Sequence, residues 1–494
     1  MPDGRPNILL LFTDQQRWDA LGAAGNSIIK TPVLDGLARR GVLFARAYTP
    51  SPVCVAARGA VMTGLLPHRT GCFNNGFPLA RGVPTLMQLL SEAGYQTHAV
   101  GKMHFSPPRV ALGFESMELS EEIPVSAEAD DFLQFLHARG YAHVHEPHGI
   151  RSDMYYIPQV SQLPAELHTT AWTAERTIAF LRRRDRRRPF FLWTSFIKPH
   201  PPFDPPVPWN KLYRSVDMPL PHCPPGSAGL QTWWMRHQNR YKYRESGPDL
   251  NLLRSMKAAY YACVSFIDYH IGRILNLLRQ TGESENTLIL FASDHGELLG
   301  DYHSFGKRSF LDAAARVPLI AVWPGHFPAG AVCERPVSLV DLMPTCLAAA
   351  GIDPGPYRLD GSDLREAVAR EGGEALVLGQ LDRRGRAVYM AFDGRWKYVY
   401  SAGDRREYLF DLEADPQETM DHFERAPAEA ARLRRALCER FRRDGYEEPF
   451  VGEQWREFDV PPERAPDDDR IFQEARWTDP WLRVPGYGAP PQGG

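Results

Sequence analysis

The chain has 494 residues, more than a single average domain needs, so we expect two domains or one large domain with a smaller partner. Hydrophobic residues make up 43% and charged residues 24%, which is typical of a globular protein with a sizeable core. The net charge of -3 gives no indication of binding to nucleic acid or to an anionic membrane surface.

Strands and helices alternate along most of the chain. Residues 7–13 form an apolar run that ends in Asp14 and Gln15, the pattern of a buried parallel strand. Thr31 is the expected N-cap of the first helix, which stops at Gly41. Further strands are predicted at 96–101, 189–196, 287–292 and 317–322, and helices at 31–40, 85–93, 169–184, 252–279 and 340–350. This alternation predicts an α/β fold with a large, mostly parallel sheet flanked by helices.

Polar residues follow several of these strands directly. Asp14, Lys102, His200 and Asp294 each come just after a predicted strand. Ligands bind outside the carboxyl ends of the strands in sheets of this kind. We therefore expect these four side chains to meet at one edge of the sheet.

The pattern changes after about residue 370. Residues 387–392 and 395–400 flank Asp393-Gly394 and predict a β-hairpin, a further strand is expected at 408–412, and 427–443 is predicted helical. We divide the chain into a large α/β domain at 1–370, a smaller α+β C-terminal domain at 371–449 and an arm at 450–494. The arm carries Trp455, Trp477 and Trp481 with little periodicity, so we expect it to pack on its own body or on a neighbouring subunit.

Compartment and redox state follow from what the sequence lacks. The apolar run Ile8 to Phe12 is too short for a signal peptide, and no apolar stretch of 18 residues occurs. The seven cysteines are scattered, odd in number and without a Cys-x-x-Cys pair. We expect reduced thiols, a cytoplasmic location and no membrane span.

The segment from Ser51 to Gly64 carries the strongest chemical signal. Cys54 opens a predicted helix and Arg58 lies one turn later, which places a nucleophile and a cation at a helix N-terminus that favours anions. Cys-x-x-x-Arg alone fits an ordinary packed cysteine better than a nucleophile. The spacing is two residues too short for a cysteine phosphatase, which has five residues between Cys and Arg where this chain has three.

The wider segment resembles the signature of type I sulfatases, Cys-x-(Pro or Ala)-x-Arg followed by Thr-Gly and Pro-His-Arg-x-Gly, with Ala56 where Pro is commoner. The resemblance continues over about the first 420 residues, in the Asp-Gln after the first strand and in later motifs. These motifs are Gly-Lys-Met-His at 101–104, Lys-Pro-His-Pro-Pro-Phe at 198–203, Ser-Asp-His-Gly-Glu-Leu-Leu-Gly at 293–300, Gly-Lys at 306–307 and Leu-Phe-Asp-Leu-Glu-Ala-Asp-Pro at 409–416. The resemblance to type I sulfatases implies the fold of the alkaline phosphatase superfamily and hydrolysis of a small sulfate ester.

The resemblance also implies a role for each matching residue. Cys54 would be oxidised by a maturase to formylglycine, whose hydrate attacks sulfur through one hydroxyl and expels the sulfate by deprotonation of the other. The implied metal ligands suit Ca²⁺, with Mn²⁺ or Mg²⁺ as alternatives, and they are Asp14, Gln15, Asp294 and His295. The implied sulfate-binding cations are Arg58, Lys102 and Lys307. We assign His200 as the acid for the leaving oxygen and His104 as the group that orients or deprotonates the hydrate, with Asn75 as a weaker candidate contact.

Two other functions remain open at this point. A phosphonate monoester or phosphodiester hydrolase would share the nucleophile and the metal, although that group tends to lack the Lys and His found here at positions 102 and 104. A sulfate-ester binding protein with an unmodified Cys54 would be no enzyme. Aromatics such as Trp233 and Trp234 either line the alcohol pocket or pack under long insertions. We further expect a homodimer or homotetramer held partly by the C-terminal arm.

Overall fold

The computed structural model describes residues 4–151, 155–242, 249–355, 357–370 and 375–460. Its strands are β1 Asn7–Asp14, β2 Val42–Phe44, β3 Ala47–Tyr48, β4 Gln96–Gly101, β5 Ser116–Leu119, β6 Phe190–Pro199, β7 Thr287–Ser293, β8 Leu319–Val322, β9 Ala331–Cys333, β10 Val337–Ser338, β11 Val377–Leu381, β12 Val388–Phe392, β13 Trp396–Ser401, β14 Arg406–Asp411, β15 Phe450–Val451 and β16 Gln454–Trp455. Its helices are α1 Pro32–Arg40, α2 Cys54–Thr63, α3 Pro67–Thr70, α4 Leu86–Glu92, α5 Asp131–Ala138, α6 Thr169–Arg183, α7 Trp233–Lys242, α8 Leu250–Gln280, α9 Asp312–Ala315, α10 Leu342–Ala349, α11 Leu364–Ala369 and α12 Pro427–Arg443.

Eight strands form the main sheet, in the order β5-β4-β6-β1-β7-β8-β2-β9. Only β8 runs antiparallel to its neighbours β7 and β2, and the other pairings are parallel. The predicted α/β fold with a large, mostly parallel sheet is therefore confirmed.

The central strand β1 is buried on both faces. Ile8, Leu10 and Phe12 join one hydrophobic cluster, while Leu9 and Leu11 join the cluster on the other side of the sheet. Parallel strands covered by helices on both faces need such an uninterrupted apolar run. The same burial holds β1 between β6 and β7, so their carboxyl ends lie side by side.

Thr31 is the N-cap residue of α1, as predicted, but its side chain is not the group that caps the helix. The side chain of Thr31 makes no capping bond to α1. Instead, the Asp268 carboxylate on α8 accepts the backbone N–H groups of Val33 at 3.1 Å and Leu34 at 2.8 Å. A residue over two hundred positions away supplies this cap, which local sequence patterns do not reveal.

A second sheet of four antiparallel strands, in the order β11-β12-β13-β14, confirms the smaller C-terminal α+β region. β12 and β13 form the predicted hairpin, whose turn contains Gly394 at φ 106°. The helix α12 packs on this sheet through Leu433, Leu437 and Phe441. Trp233 and Trp234 lie in the hydrophobic cluster between α7 and this sheet, so both serve packing.

The start of the C-terminal arm packs on its own chain. The Trp455 ring stacks on Tyr400 at a centroid distance of 4.2 Å and on Phe450 at 4.5 Å. Trp477 and Trp481 lie outside the described residues. All seven cysteines are free thiols. Within the described ranges, no helix has the length and apolar character needed to cross a bilayer.

Candidate active site

The strand ends bring together the side chains that the sequence places there. Lys102 follows β4, and its Nζ is 2.7 Å from Oδ2 of Asp14 at the end of β1. Asp294 follows β7, and its Oδ1 accepts the backbone N–H of Gln15 at 3.0 Å. His200 follows β6, which is hydrogen-bonded to β1 along its length. All five residues are buried, so the site lies at the predicted edge of the sheet and away from bulk water.

Cys54 is the first residue of α2 and points into this group. Its Sγ is 2.8 Å from Nζ of Lys307, 3.2 Å from Nε2 of His295, 3.8 Å from Oδ1 of Asp14 and 3.9 Å from Nζ of Lys102. Burial and the Asp14 carboxylate both disfavour a thiolate here, but the lysines and His295 outweigh them and hold the pKa of Cys54 well below its ordinary value. Sγ marks where an oxygen of oxidised position 54 would lie.

The loops around Cys54 are attached to the C-terminal sheet. Gln380 in β11 donates its backbone N–H to the carbonyl of Pro50 at 2.8 Å. The backbone N–H of Asp382 donates to the carbonyl of Phe73 at 2.8 Å, and the carboxylate of Asp382 accepts a hydrogen bond from the Asn74 amide at 2.9 Å. The smaller sheet therefore supports both segments that flank the nucleophile.

Four side chains form a cluster with the geometry of a metal site. One donor atom each of Asp14, Cys54, Asp294 and His295 lies within 4.8 Å of the other three. Nδ1 of His295 contacts the carbonyl of Gly296 at 2.9 Å, so this nitrogen carries the hydrogen of the neutral ring, and loss of the second proton would leave the lone pair of Nε2 for a bound cation. Burial raises the pKa of Asp294 to about 6, and the nearby Asp14 carboxylate acts in the same direction. Two crowded carboxylates and an unprotonated imidazole nitrogen fit a divalent cation.

Gln15 lies beside this cluster. It adopts φ 68°, and its Oε1 accepts a hydrogen bond from Nζ of Lys307 at 3.1 Å. Its amide nitrogen donates to the buried carboxylate of Glu297. Glu297 therefore orients the amide so that the oxygen faces the site and remains available as a ligand.

Arg58 lies one helical turn after Cys54 and is fully buried. Its guanidinium donates to Oδ2 of Asp294 at 3.1 Å, to Oδ2 of Asp14 at 3.2 Å and to Oγ of Ser195 at 2.8 Å. It also donates to the carbonyl of Lys102 at 2.6 Å. The planar fork thus joins the ends of β1, β4, β6 and β7 and places a permanent positive charge next to the nucleophile.

His200 and Lys307 lie on the same side of the site. Nε2 of His200 is 3.1 Å from Nζ of Lys307, and its Nδ1 donates to the carbonyl of Pro201 at 2.7 Å. Burial lowers the pKa of His200 well below its ordinary value. The Glu122 carboxylate favours the charged ring, but its effect is smaller than that of burial. Nε2 is therefore the ring nitrogen directed at the reacting groups.

Two predicted site residues lie at the edge of the site. Oδ1 of Asn75 accepts the backbone N–H of Val55 at 3.2 Å, which supports the residue next to the nucleophile. The ring of His104 makes no hydrogen bond to any of the described residues, and its Nδ1 is buried. Both line a cavity of about 420 Å³ next to Val55.

Three polar residues of the site had no assigned role in the sequence. Glu122 and Ser195 lie outside every recognised motif, whereas Glu297 belongs to the Ser-Asp-His-Gly-Glu stretch without an evident function. Glu297 accepts the hydroxyl of Tyr156 at 2.9 Å and the backbone N–H of Leu299 at 2.9 Å. The position of Glu297 in the same motif as Asp294 and His295 was the signal in the sequence that could have indicated a supporting role.

Comparison with known proteins identifies the family. The family profile described as Sulfatase matches residues 6–352, and the profile described as N-sulphoglucosamine sulphohydrolase, C-terminal, matches residues 300–444. The chain belongs to the sulfatase family. Within the alkaline phosphatase superfamily it is a type I sulfatase, an enzyme that hydrolyses sulfate esters.

Relatives of this sulfatase include an arylsulfatase of Clostridium perfringens, which is 32% identical over 84% of this chain and 89% of its own. A choline-sulfatase of Rhizobium meliloti is 31% identical over 88% of this chain and 86% of its own. Among solved structures, the phosphonate monoester hydrolase of Agrobacterium radiobacter matches with a TM-score of 0.77 and 27% identity. That match covers 90% of this chain and 96% of the hydrolase.

Proposed function

We propose that this sulfatase hydrolyses a small sulfate monoester through formylglycine at position 54 and one divalent cation. The observation that carries this proposal is the position of Sγ of Cys54, which lies among metal-ligand donors and near the ammonium groups of Lys102 and Lys307. The first set suits activation of an oxygen nucleophile, and the second suits the oxygens of a sulfate group.

The proposed ligands of the cation are Asp14, Gln15, Asp294 and His295. When bound, the cation lowers the pKa of the nucleophilic hydroxyl and neutralises the crowded carboxylates. Oxygen donors and one imidazole suit Ca²⁺, with Mn²⁺ or Mg²⁺ as alternatives. Gly296 keeps the His295 ring in the tautomer that leaves Nε2 unprotonated.

Conversion of Cys54 to formylglycine by a maturase explains how turnover is completed. A thiolate that attacked sulfur would retain the sulfate, because it has no second hydroxyl whose deprotonation could expel it. Hydrated formylglycine supplies both an oxygen nucleophile and that second hydroxyl. The lysines near position 54 favour an anion there, since they lower the pKa of the Cys54 thiol, and this supports an anionic nucleophile at the same place.

The remaining side chains divide the work of charge stabilisation and proton transfer. Lys102, Lys307 and Arg58 neutralise charge on the sulfate oxygens as the transition state forms. His200 protonates the alcohol oxygen as the ester bond breaks, since its Nε2 faces the site and its Nδ1 is held by Pro201. We retain His104 as the group that orients the hydrate and Asn75 as a contact of the substrate or hydrate, supported by their position on the wall of the adjacent cavity.

Phosphonate or phosphodiester hydrolysis is the second candidate, favoured by the structural match to a phosphonate monoester hydrolase. Lys102 supports the sulfatase function instead, because phosphonate monoester hydrolases tend to lack a lysine here, whereas in this chain its ammonium contacts Asp14 and lies 3.9 Å from Sγ of Cys54. Initial rates on 4-nitrophenyl sulfate and on 4-nitrophenyl phenylphosphonate decide between the two. We expect the sulfate to react with the higher kcat/KM, and a higher value for the phosphonate would overturn the assignment.

A further inference from the structure

Glu122 is a buried carboxylate that lies between the proposed sulfate-binding cations and the proposed leaving-group acid. It is 5% exposed, and its Oε2 is 2.5 Å from Nζ of Lys102 and 3.3 Å from Nε2 of His200. Its Oε1 forms an ion pair with Arg151. We propose that Glu122 is a positioning residue that holds the Nε2–H of His200 and one ammonium proton of Lys102 during turnover. This inference rests on the proposed function.

The contacts of Lys102 show what Glu122 does on the sulfate side. An ammonium group has three hydrogens in a tetrahedral arrangement. One is directed to Oδ2 of Asp14 at 2.7 Å and a second to Oε2 of Glu122 at 2.5 Å. A single hydrogen therefore remains for the region of Cys54, whose Sγ is 3.9 Å from Nζ. Glu122 fixes the direction of that remaining hydrogen.

The contacts of His200 show what Glu122 does on the alcohol side. Nδ1–H is bonded to Pro201, so only Nε2 can exchange a proton with the substrate. Lys307 reaches Nε2 at 3.1 Å as a hydrogen-bond donor and favours the neutral ring. Glu122 reaches the same nitrogen as an acceptor and favours the ring that carries a proton there. Once sulfate oxygens accept the hydrogens of Lys307, the carboxylate of Glu122 is the remaining partner of Nε2.

The proton transfer balances with groups already present. As the hydrate oxygen at position 54 forms its bond to sulfur, the bond between sulfur and the alcohol oxygen breaks. The electron pair of the broken bond passes to the alcohol oxygen, which takes the proton from Nε2 of His200. The alcohol leaves neutral, the ring becomes neutral and Glu122 stays ionised throughout. In the free site, where Lys307 contacts Nε2, the ring stays neutral; once the next sulfate has taken up the hydrogens of Lys307, Nε2 regains a proton from water and Glu122 stabilises the charged ring.

Leaving groups of different basicity test this role. 4-Nitrophenolate is a stable anion that needs little protonation, whereas 4-methoxyphenolate needs a proton as it departs. General acid catalysis contributes roughly 10²-fold or more to a rate. Glu122→Gln should therefore lower kcat/KM about 100-fold for 4-methoxyphenyl sulfate but less than about 10-fold for 4-nitrophenyl sulfate. Glu122→Asp keeps the charge and should recover part of the loss on the poorer leaving group.

Glu146→Gln is the matched control, because Glu146 accepts the backbone N–H of Arg151 at 3.2 Å but contacts neither Lys102 nor His200. It should leave the ratio of the two kcat/KM values unchanged. Equal losses on both esters in Glu122→Gln would show a merely structural role and overturn the proposal, as would full activity on both. If Glu122→Gln does not fold, Glu122→Asp must show a loss on 4-methoxyphenyl sulfate that exceeds its loss on 4-nitrophenyl sulfate, and equal losses on the two esters overturn the proposal. Failure of the proposed function would instead appear as a wild-type enzyme, converted at position 54, that hydrolyses neither ester.

Discussion

Lys397 offers a test of how the C-terminal sheet is joined to the catalytic part of the chain. It lies on β13, fully buried, with Nζ 2.6 Å from Oδ1 of Asp312 on α9 and in contact with the carboxylate of Glu418. The hydroxyl of Tyr48 donates to the same Asp312 oxygen at 2.8 Å. Lys397→Met keeps the length of the side chain but leaves two buried carboxylates without this cation.

The expected cost follows from these contacts. Removing one partner of a buried ion pair destabilises a protein by about 3–5 kcal/mol. An unfolding entropy of ~2.1 cal/mol/K per residue gives ~1 kcal/mol/K for a chain of this length, so Tm should fall by ~3–5 °C.

The loss of stability in Lys397→Met should depend on pH. Burial raises the pKa of Glu418 to about 7 in the folded protein, and the neighbouring Asp312 adds to this against the effect of Lys397. Because the folded pKa is above the unfolded one, Glu418 favours folding most at low pH and loses that contribution as pH rises towards 7. Without Lys397 the folded pKa rises further, so protonation of Glu418 relieves the variant more at pH 6 than at pH 8.5.

Thermal unfolding of the wild type, Lys397→Met and the double variant Lys397→Met/Glu418→Gln measures this. The single variant should lose more at pH 8.5 than at pH 6, and the double variant should recover part of the loss at pH 8.5. A single variant within about 1 °C of the wild type at both pH values would refute the reasoning. A double variant no more stable than the single one would do the same.

Three further predictions concern the metal site, the N-terminal cap and the arm. Chelation should abolish turnover and Asp294→Ala should lower kcat/KM more than tenfold, whereas activity closer to wild type in a steady-state assay would exclude Asp294 as a ligand. Asp268→Ala should lower stability by about 1–2 kcal/mol through loss of the α1 cap, as measured by chemical denaturation, and an unchanged midpoint would contradict that role. The full chain should be a homodimer or homotetramer by light scattering, and a chain ending near Glu448 should have fewer subunits. A monomeric full chain would rule out the oligomer, and an unchanged oligomer after truncation would show that the arm does not hold it.

Much of the fold could be predicted because its signals are local. The uninterrupted apolar run of β1 and the polar residues at its end both reflect burial between two layers of helices. The hairpin of β12 and β13 was evident from Asp393-Gly394 between two apolar runs. In contrast, the α1 cap depends on Asp268, which only tertiary structure brings to it. Local patterns carry no information about such a partner.

In the candidate active site, too, local sequence patterns indicated some residues, whereas others could be found only from tertiary contacts. Cys54 and Arg58 are one helical turn apart, and the sulfatase-like motifs around them, rather than this spacing alone, indicated an anion site there. Glu122 could not be found this way, since it follows an ordinary short strand and its neighbours in sequence suggest no chemistry. Its role arises from contact with Lys102 and His200, which come from two other strand ends.

The most direct test of the proposed mechanism relates the state of Cys54 to activity. Samples produced with increasing amounts of maturase should be assayed on 4-nitrophenyl sulfate. In each sample, mass spectrometry should measure the mass of the tryptic peptide that contains residue 54. We predict that kcat per chain rises in proportion to the fraction of peptide with formylglycine and approaches zero for the thiol form. Full activity in a sample that contains only the Cys54 thiol would contradict the account.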